Sequence, residues 1–386
     1  MLTTLAIANY RSINHLVLPL GQLNVITGPN GSGKSNLYKA LRLLAETARG
    51  GVINALAAEG GLDSTFWAGP EVISRRMHSG EAAIEGSRRN EVKRLRLGFG
   101  CEDYGYAISL GIPEPTLSMF ALDPQVKREG IWAGELCRPA SLLVQRKGSM
   151  VKVRDGREWA VVAQHTSGAD SLFDQVGNLS SSPEVLVLRE QIRGWRFYDH
   201  FRTDSQAPAR RPQLGTRTPV LHHDGRDLAA ALQTIIEVGD PEALQATIAD
   251  AFPGARLAID AQVGGQFGLL FHQEGLLRPL SAAELSDGTL RYLLLVAALL
   301  TPRPPSMMVL NEPETSLHPD LLPALARLII RASRSCQVWV VSHASRLIAA
   351  LEQDAQSNCI VLEKVLGQTR VVGQGRLDEP AWRWPE

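Results

Sequence analysis

The residues best placed to do chemistry begin at Gly28. GPNGSGKS (Gly28–Ser35) matches the spacing G-x-x-x-x-G-K-[ST] in full. Glycines at this spacing let the backbone curl so that its N–H groups point at phosphate oxygens. A helix N-terminus directly after the loop adds positive potential. Lys34 is a point charge that can reach β- and γ-phosphates, and Ser35 offers a hydroxyl to Mg²⁺. The candidate nucleotide-binding residues here are Gly28, Asn30, Gly31, Ser32, Gly33, Lys34, Ser35 and Asn36.

Hydrolysis needs a second half, and PPSMMVLNEPETSLHP supplies it. Met307–Leu310 reads as a short apolar strand with polar residues at its C-terminal end, where parallel α/β sheets bind ligands. Glu312 is the candidate general base, a carboxylate that can orient and polarise the attacking water. Asn311 stands where such a site ordinarily carries Asp to hold Mg²⁺ through its water. An Asn carbonyl still accepts a hydrogen bond but brings no charge. Slower turnover or weaker Mg²⁺ dependence is therefore expected, with Glu314 as a nearby source of compensating charge. His343 ends VWVVSH, one strand further on, where an imidazole can reach the γ-phosphate. ELSDGTLRYLLLVAALL precedes the acidic strand. Ser286 and Gly288 at its helix start can bind an anion, and Ser286 can equally be an ordinary N-cap.

These residues need elements to position them. Leu2, Leu5 and Ile7, then Leu16, Val17 and Leu18, flank the polar turn NYRSINH and predict a hairpin. QLNVITG predicts a buried strand before the glycine-rich loop. Leu37, Leu41 and Leu44 after it fall at helical spacing. VKRLRLGFG (Val92–Gly100) and Tyr104–Gly111 read as an antiparallel pair. Further strands are expected at Ser141–Gln145, Val151–Val153 and Trp159–Ala163, giving a β meander. From Ser171 to about Ala251 the pattern turns helical, with PEVLVLREQIRGWRFYDHF read as one helix. A hairpin over ARLAIDAQVGGQFGLLFHQEG follows. Then come the helix near Leu290, the strand MMVLN, the helix PDLLPALARLIIRAS, the strand CQVWVVSH and a closing hairpin over NCIVLEKVLGQTRVVG.

Composition bounds the answer. The chain has 386 residues, with 40 Lys+Arg against 40 Asp+Glu, so a basic nucleic-acid coat is excluded but a local basic patch is not. The hydrophobic fraction of 44% suits a soluble globular protein with a sizeable core. The 4 cysteines form no C-x-x-C pair and are too few for a disulfide scaffold. A cytoplasmic location and no membrane partner are expected: the start is no signal peptide, and the longest apolar stretch falls short of the roughly 18 residues a span needs.

The order of motifs resembles the ABC-type ATPases of the SMC/RecF group. It is most similar to the stand-alone RecF-like ATPases of bacteria, often labelled AAA family. FWAGP, GWRFYDHFRTD, PVLHHDGRDLAAAL and ELSDGTLRYL carry the likeness beyond the ATPase motifs. The resemblance makes the Gly28–Ser35 loop Walker A, Asn311 and Glu312 Walker B, and LSDGT the signature motif. It makes Ser316–Pro319 the D-loop and His343 the switch histidine. It implies ATP and Mg²⁺ as cofactors, with Ser35 and Asn311 at the metal and Lys34, Glu312 and His343 catalytic. It also implies a homodimer closed around two ATP, with Ser286 and Gly288 acting on the partner's nucleotide. Asn311, Asp287 and Thr289 depart from the commonest pattern. Gln145 and Gln164 follow strands, and neither is placed as a Q-loop.

The fold class implied is an α/β P-loop NTPase, an ABC/RecF-like ATPase head with an antiparallel β subdomain and an inserted helical lobe. Its expected divisions are 1–170, an N-terminal ATPase lobe; 171–279, a helical insertion and hairpin; and 280–386, a C-terminal ATPase lobe. Basic clusters at Arg75–Arg76, Arg88–Arg89, Lys93–Arg94–Arg96 and Arg210–Arg211 with Arg217 make DNA one candidate partner in repair, recombination or anti-phage defence. The alternative is a regulatory module controlling a separate effector, a nuclease or toxin. Support for it is the lack of any H-N-H or D…E-x-K constellation, and the roughly 40 residues after His343, too few for a TOPRIM domain. A transporter subunit or a nucleotide kinase fits the motifs less well.

Overall fold

Alternating apolar residues at the start of the chain become a hairpin, and the later alternating segments extend the same sheet. A computed structural model describes residues 1–71, 74–79, 81, 93–114, 119–174, 182–199, 201–375 and 377–385. In chain order the strands are β1 (Leu2–Tyr10), β2 (Ile13–Pro19), β3 (Leu23–Thr27), β4 (Leu95–Cys101), β5 (Tyr104–Gly111), β6 (Gln125–Ala133), β7 (Leu142–Lys147), β8 (Met150–Asp155), β9 (Glu158–Ala163), β10 (Arg196–Tyr198), β11 (Gln213–Leu214), β12 (Arg256–Gln262), β13 (Gln266–His272), β14 (Leu280–Ser281), β15 (Met307–Asn311), β16 (Gln337–Val341), β17 (Ser357–Val365) and β18 (Gln368–Val371). The helices are α1 (Lys34–Thr47), α2 (Val52–Ala58), α3 (Leu62–Thr65), α4 (Arg75–His78), α5 (Pro183–Arg193), α6 (Leu228–Val238), α7 (Pro241–Ala251), α8 (Asp287–Leu299), α9 (Leu322–Ser333) and α10 (Ser345–Leu351). The chain divides into two compact units. Met1–Gly21, Gly28–Gly194 and Ile360–Glu386 form the first; Gln22–Thr27 and Trp195–Cys359 form the second.

The first unit is built on an eight-stranded sheet of order β2-β1-β4-β5-β6-β7-β8-β9. Its pairings are antiparallel throughout. Strand β6 is missing from the expectation, because QVKREGIWA carries Lys127, Arg128 and Glu129 in succession. The sheet accepts it by satisfying Glu129 inside. Tyr106 Oη donates to Glu129 at 2.7 Å, Leu172 N at 3.0 Å and Arg146 Nη1 at 3.2 Å. Arg146 also donates to Gly148 O at 2.9 Å and to Ser167 O at 2.6 Å. Both members of this ion pair are 0% exposed, so neither charge has water to fall back on. Leu37, Leu41 and Leu44 of α1 are buried, as their spacing predicts.

The second unit has a parallel core, β10-β15-β16-β3, and β17 follows β3 in the order. Met307–Leu310 and Gln337–Val341 are buried residue after residue, which marks strands covered on both faces. Leu290–Leu299 of α8 are all buried as well, so this helix is core rather than surface. Helices α6, α7 and α9 and strand β13 complete the same apolar cluster. The single helix expected over PEVLVLREQIRGWRFYDHF is corrected. α5 stops at Gly194, and Arg196–Tyr198 becomes β10, parallel to β15. Glycine ends the helix, and the aromatic residues after it gain more from a sheet edge. A small antiparallel sheet, β11-β13-β12 with β14, also lies in this unit. Among the described residues no helix is long and apolar enough to cross a membrane.

Candidate functional site

Strand β3 delivers the chain to Gly28, where the backbone leaves ordinary conformational space. Gly28, Gly31 and Gly33 have φ of 142°, 79° and 110°. Close approach adds a second requirement. A Cβ on Gly28 would sit 2.1 Å from Leu362 O, and one on Gly33 would sit 2.0 Å from Thr369 Oγ1. The hairpin β17–β18 therefore backs the loop. Thr369 Oγ1 donates to Ser32 O at 2.9 Å and shares a hydrogen bond with Ser12 Oγ at 2.7 Å. Asn36 Nδ2 donates to Ser12 Oγ at 2.7 Å. Thr369 and Ser12 were not anticipated, and nothing local in the sequence links them to the loop.

Lys34 is mostly buried and turns back on the loop, its Nζ donating to Gly28 O at 2.6 Å and Pro29 O at 3.1 Å. Those carbonyls hold the ammonium where a phosphate can take over. Ser32 Oγ is buried with no hydrogen-bond partner among the described residues. Asn30, Gly31 and Ser35 are exposed. An orphaned hydroxyl, an ammonium held on loop carbonyls, open backbone and no carboxylate in the loop fit a phosphate chain, with the exposed Ser35 hydroxyl suited to ligate Mg²⁺.

The acidic and histidine residues belong to the second unit. Asn311 ends β15 opposite Val341, the end of β16. Glu312 follows in a left-handed backbone, φ 48°. A non-glycine residue there costs roughly 1–3 kcal/mol and persists only when its surroundings fix it. Here Glu312 N donates to Val341 O at 2.8 Å, and Arg291 Nη2 donates to Glu312 O at 3.2 Å. His343 Nδ1 lies 3.8 Å from Glu312 Oε1 and 3.5 Å from Glu314 Oε1. The Glu312 and His343 side chains are 46% and 55% exposed, open to a ligand. Glu314 is different. Its Oε1 accepts from Ser342 Oγ at 2.6 Å, His343 N at 3.1 Å and Ala344 N at 3.2 Å. This oxygen ties down the histidine loop, while Glu314 Oε2 is buried with no hydrogen-bond partner among the described residues. Arg291, buried beneath, was also missed, because it sits inside an apolar helix. Burial lowers its pKa, and Glu314 and Glu312 oppose that shift.

Ser286 serves as an N-cap, accepting from Thr289 N at 3.1 Å. Gly288 lies against the SLHP turn, where a Cβ would come 2.7 Å from Ser316 O. Ser316 itself has φ 64°. Asp287 pairs with Arg210 Nη2 at 2.6 Å, and Arg210 Nη1 donates to Leu285 O at 2.7 Å. At 9% exposure Arg210 is a clamp on the signature loop, which removes it from the basic cluster proposed for DNA. Arg211 turns to Gln206 and Arg217 faces Glu237 at 3.9 Å. Lys93 faces Asp63 at 4.0 Å and Arg76 faces Glu81 at 3.7 Å. Arg94 directly precedes β4, and Arg96 lies on it. The Arg75 side chain, Arg88 and Arg89 lie outside the described residues. Gln145 is an interior position of β7, and Gln164 follows β9.

Residues 23–349 match the family described as "AAA domain, putative AbiEii toxin, Type IV TA system". No curated protein matches the chain. Among solved structures, an SMC head bound to the C-terminal winged-helix domain of ScpA aligns with TM-score 0.50 at 13% identity, over 96% of this chain and 97% of that one. The SMC head domain from Thermotoga maritima aligns with TM-score 0.44 at 13% identity, over 96% and 98%. The first of these supports the P-loop, ABC-like ATPase-head fold. The family model spans most of the sequence, from β3 through the loop, the signature segment, the acidic strand and the histidine. The chain belongs to this family of AAA-type ATPase domains.

Proposed function

We propose that this ATPase domain is an ATP-driven switch. Two copies close head to tail around two ATP, open on hydrolysis, and in the closed state act on DNA in repair, recombination or anti-phage defence. The observation that carries the reading is Glu312, held in left-handed backbone beside His343 at the ends of adjacent parallel strands. The loop holds the phosphates through its N–H groups, and Lys34 exchanges loop carbonyls for phosphate oxygens. Glu312 takes the proton of the attacking water as the bond from the γ-phosphorus to ADP breaks. His343 donates to the γ-phosphate oxygens. Ser35 and Asn311 would hold Mg²⁺, which would supply charge neutralisation to the phosphates. Ser286 and Gly288 cap the partner copy's nucleotide. A cytoplasmic setting is supported by four free cysteines.

The test is molar mass by light scattering, for the parent and Glu312→Gln, with and without ATP–Mg²⁺, beside phosphate release. A Glu312→Gln dimer that forms only with ATP, and a parent that hydrolyses and returns to monomer, is expected. If neither protein changes mass or releases phosphate, the switch reading fails.

A second reading is a regulatory module that governs a separate effector without binding DNA. The toxin–antitoxin wording of the family description supports it. So do Met119 and Leu122 in the β5–β6 connection, 99% and 68% exposed, the kind of apolar surface a protein partner covers. A stoichiometric partner recovered from the native host, with no DNA affinity in the chain itself, would favour it.

A further inference from the structure

One face of the first unit's sheet carries a row of cations that the ATPase chemistry does not use. The strand register aligns Arg96 with Ser109, Ser109 with Arg128, and Arg128 with Lys147, across β4, β5, β6 and β7. Strand alternation puts Arg94 on the same face as Arg96. Arg128 and Lys147 oppose each other directly, and like charges so placed destabilise a sheet unless an anion lies between them. The neighbouring row is small: Gly98 aligns with Ala107, Ala107 with Gly130, and Gly130 with Gln145.

The C-terminal segment lies over that small row as a strap. A Cβ on Gly98 would meet Trp382 Cζ2 at 2.7 Å, and one on Gly130 would meet Pro385 Cβ at 2.8 Å. Trp382 packs edge-on against Trp132 at 5.6 Å and against Trp384 at 5.3 Å between ring centroids. Between strap and strands lies a cleft of about 1040 Å³. Its wall includes Arg94, Arg96, Arg128, Arg138, Lys147 and Arg383, and among the described residues no carboxylate belongs to its lining. Trp159, Trp382 and Trp384 supply indole faces, each half-buried.

Cations alone suit any polyanion. Indole faces ask in addition for flat aromatic rings that are free to stack. Phosphates and unstacked bases on one chain meet both demands, whereas a duplex keeps its base faces covered. The volume lies at the upper end of the roughly 300–1,000 Å³ of small-ligand sites, which leaves room for more than one linked nucleotide. We propose that this cleft binds a short stretch of single-stranded nucleic acid, with phosphates along Arg128 and Lys147 and a base against Trp384. The inference deepens the nucleic-acid arm of the proposed function and rests on that reading for its class of partner. It assigns the contact to a surface apart from the phosphate loop, and within the first unit alone.

The test uses the full chain without ATP. A fluorescent single-stranded 12-mer is titrated by anisotropy at several salt concentrations, with intrinsic tryptophan emission followed in parallel. The parent should bind with quenching of tryptophan emission and with affinity falling steeply with salt. Arg128→Glu with Lys147→Glu should weaken binding at least tenfold and flatten the salt slope, while ATP-analogue binding and the melting temperature stay unchanged. Trp384→Phe keeps a ring and should retain most of the affinity; Trp384→Ala should lose about tenfold and the quenching. No binding by the parent at low salt overturns this proposal; no DNA binding by Glu312→Gln with ATP–Mg²⁺ either overturns the nucleic-acid reading as well. Binding that ignores Arg128→Glu with Lys147→Glu overturns this site but leaves that reading standing. Equal affinity for a duplex, or full displacement by a mononucleotide at matched affinity, also overturns it.

Discussion

Glu314→Ala should free the histidine loop without unfolding the strand that carries it. Glu314 Oε1 holds Ser342 Oγ at 2.6 Å, His343 N at 3.1 Å and Ala344 N at 3.2 Å. After truncation Ala344 N still has Ser342 Oγ at 3.1 Å. The His343 N–H has no second acceptor among the described residues. A hydrogen bond to a charged group contributes about 1.5–3 kcal/mol, and the Ser342 hydroxyl adds about 1 kcal/mol. The loop should therefore open more easily by about 3 kcal/mol, which is roughly a hundredfold in local exchange. Glu314→Gln keeps an acceptor and loses the charge assistance, about half of that strength, so roughly tenfold is expected. Hydrogen–deuterium exchange of Ser342–Ser345 reads both values, with Gln337–Val341 as the internal control. Exchange at His343 within threefold of the parent would refute the reasoning. So would equal acceleration across β16, because the loss would then be global.

Three further outcomes are expected. Arg146→Met should cost about 3–5 kcal/mol in urea unfolding by stranding the Glu129 charge, and adding Glu129→Leu should recover most of it; a double variant as weak as the single one contradicts this. Asn311→Asp should raise phosphate release and lower the Mg²⁺ midpoint, and both unchanged would show that the missing charge does not matter. Burial pushes the Cys101 and Cys336 thiols up to about 12 and the Cys137 thiol to about 11. Below those values the thiol form dominates, so iodoacetamide at pH 8 should leave all three unlabelled until urea is added. Mass spectrometry of the native protein finding any of them alkylated would count against that burial.

The placement of the candidate residues was legible because it is written locally. Gly28–Ser35, Glu312 and His343 each follow an apolar strand, and period and turn chemistry suffice to place them. Strand β6 was not legible. Its charges contradict the alternation until Tyr106 and Arg146 are seen to satisfy Glu129, and those partners come from other strands. Strand β10 was hidden inside a helical pattern, because its gain comes from pairing with β15. Thr369, Arg291 and the clamp role of Arg210 share one cause. Each acts on a motif far off in the chain, and a single sequence carries no record of that proximity.

The backing of the phosphate loop has a consequence for how the protein is made. Thr369 and Ser32 are separated by 337 residues. At a synthesis rate of about 5–20 residues per second, the loop leaves the ribosome roughly 20–70 s before its support. During that interval Gly28 and Gly33 lack the hairpin that fixes their backbone, and the nascent chain holds no shaped cradle for phosphate. The loop's backing is thus acquired late, once the chain has been made through Thr369. A ribosome stalled before Ile360 carries the motif intact in sequence but without the hairpin that backs it.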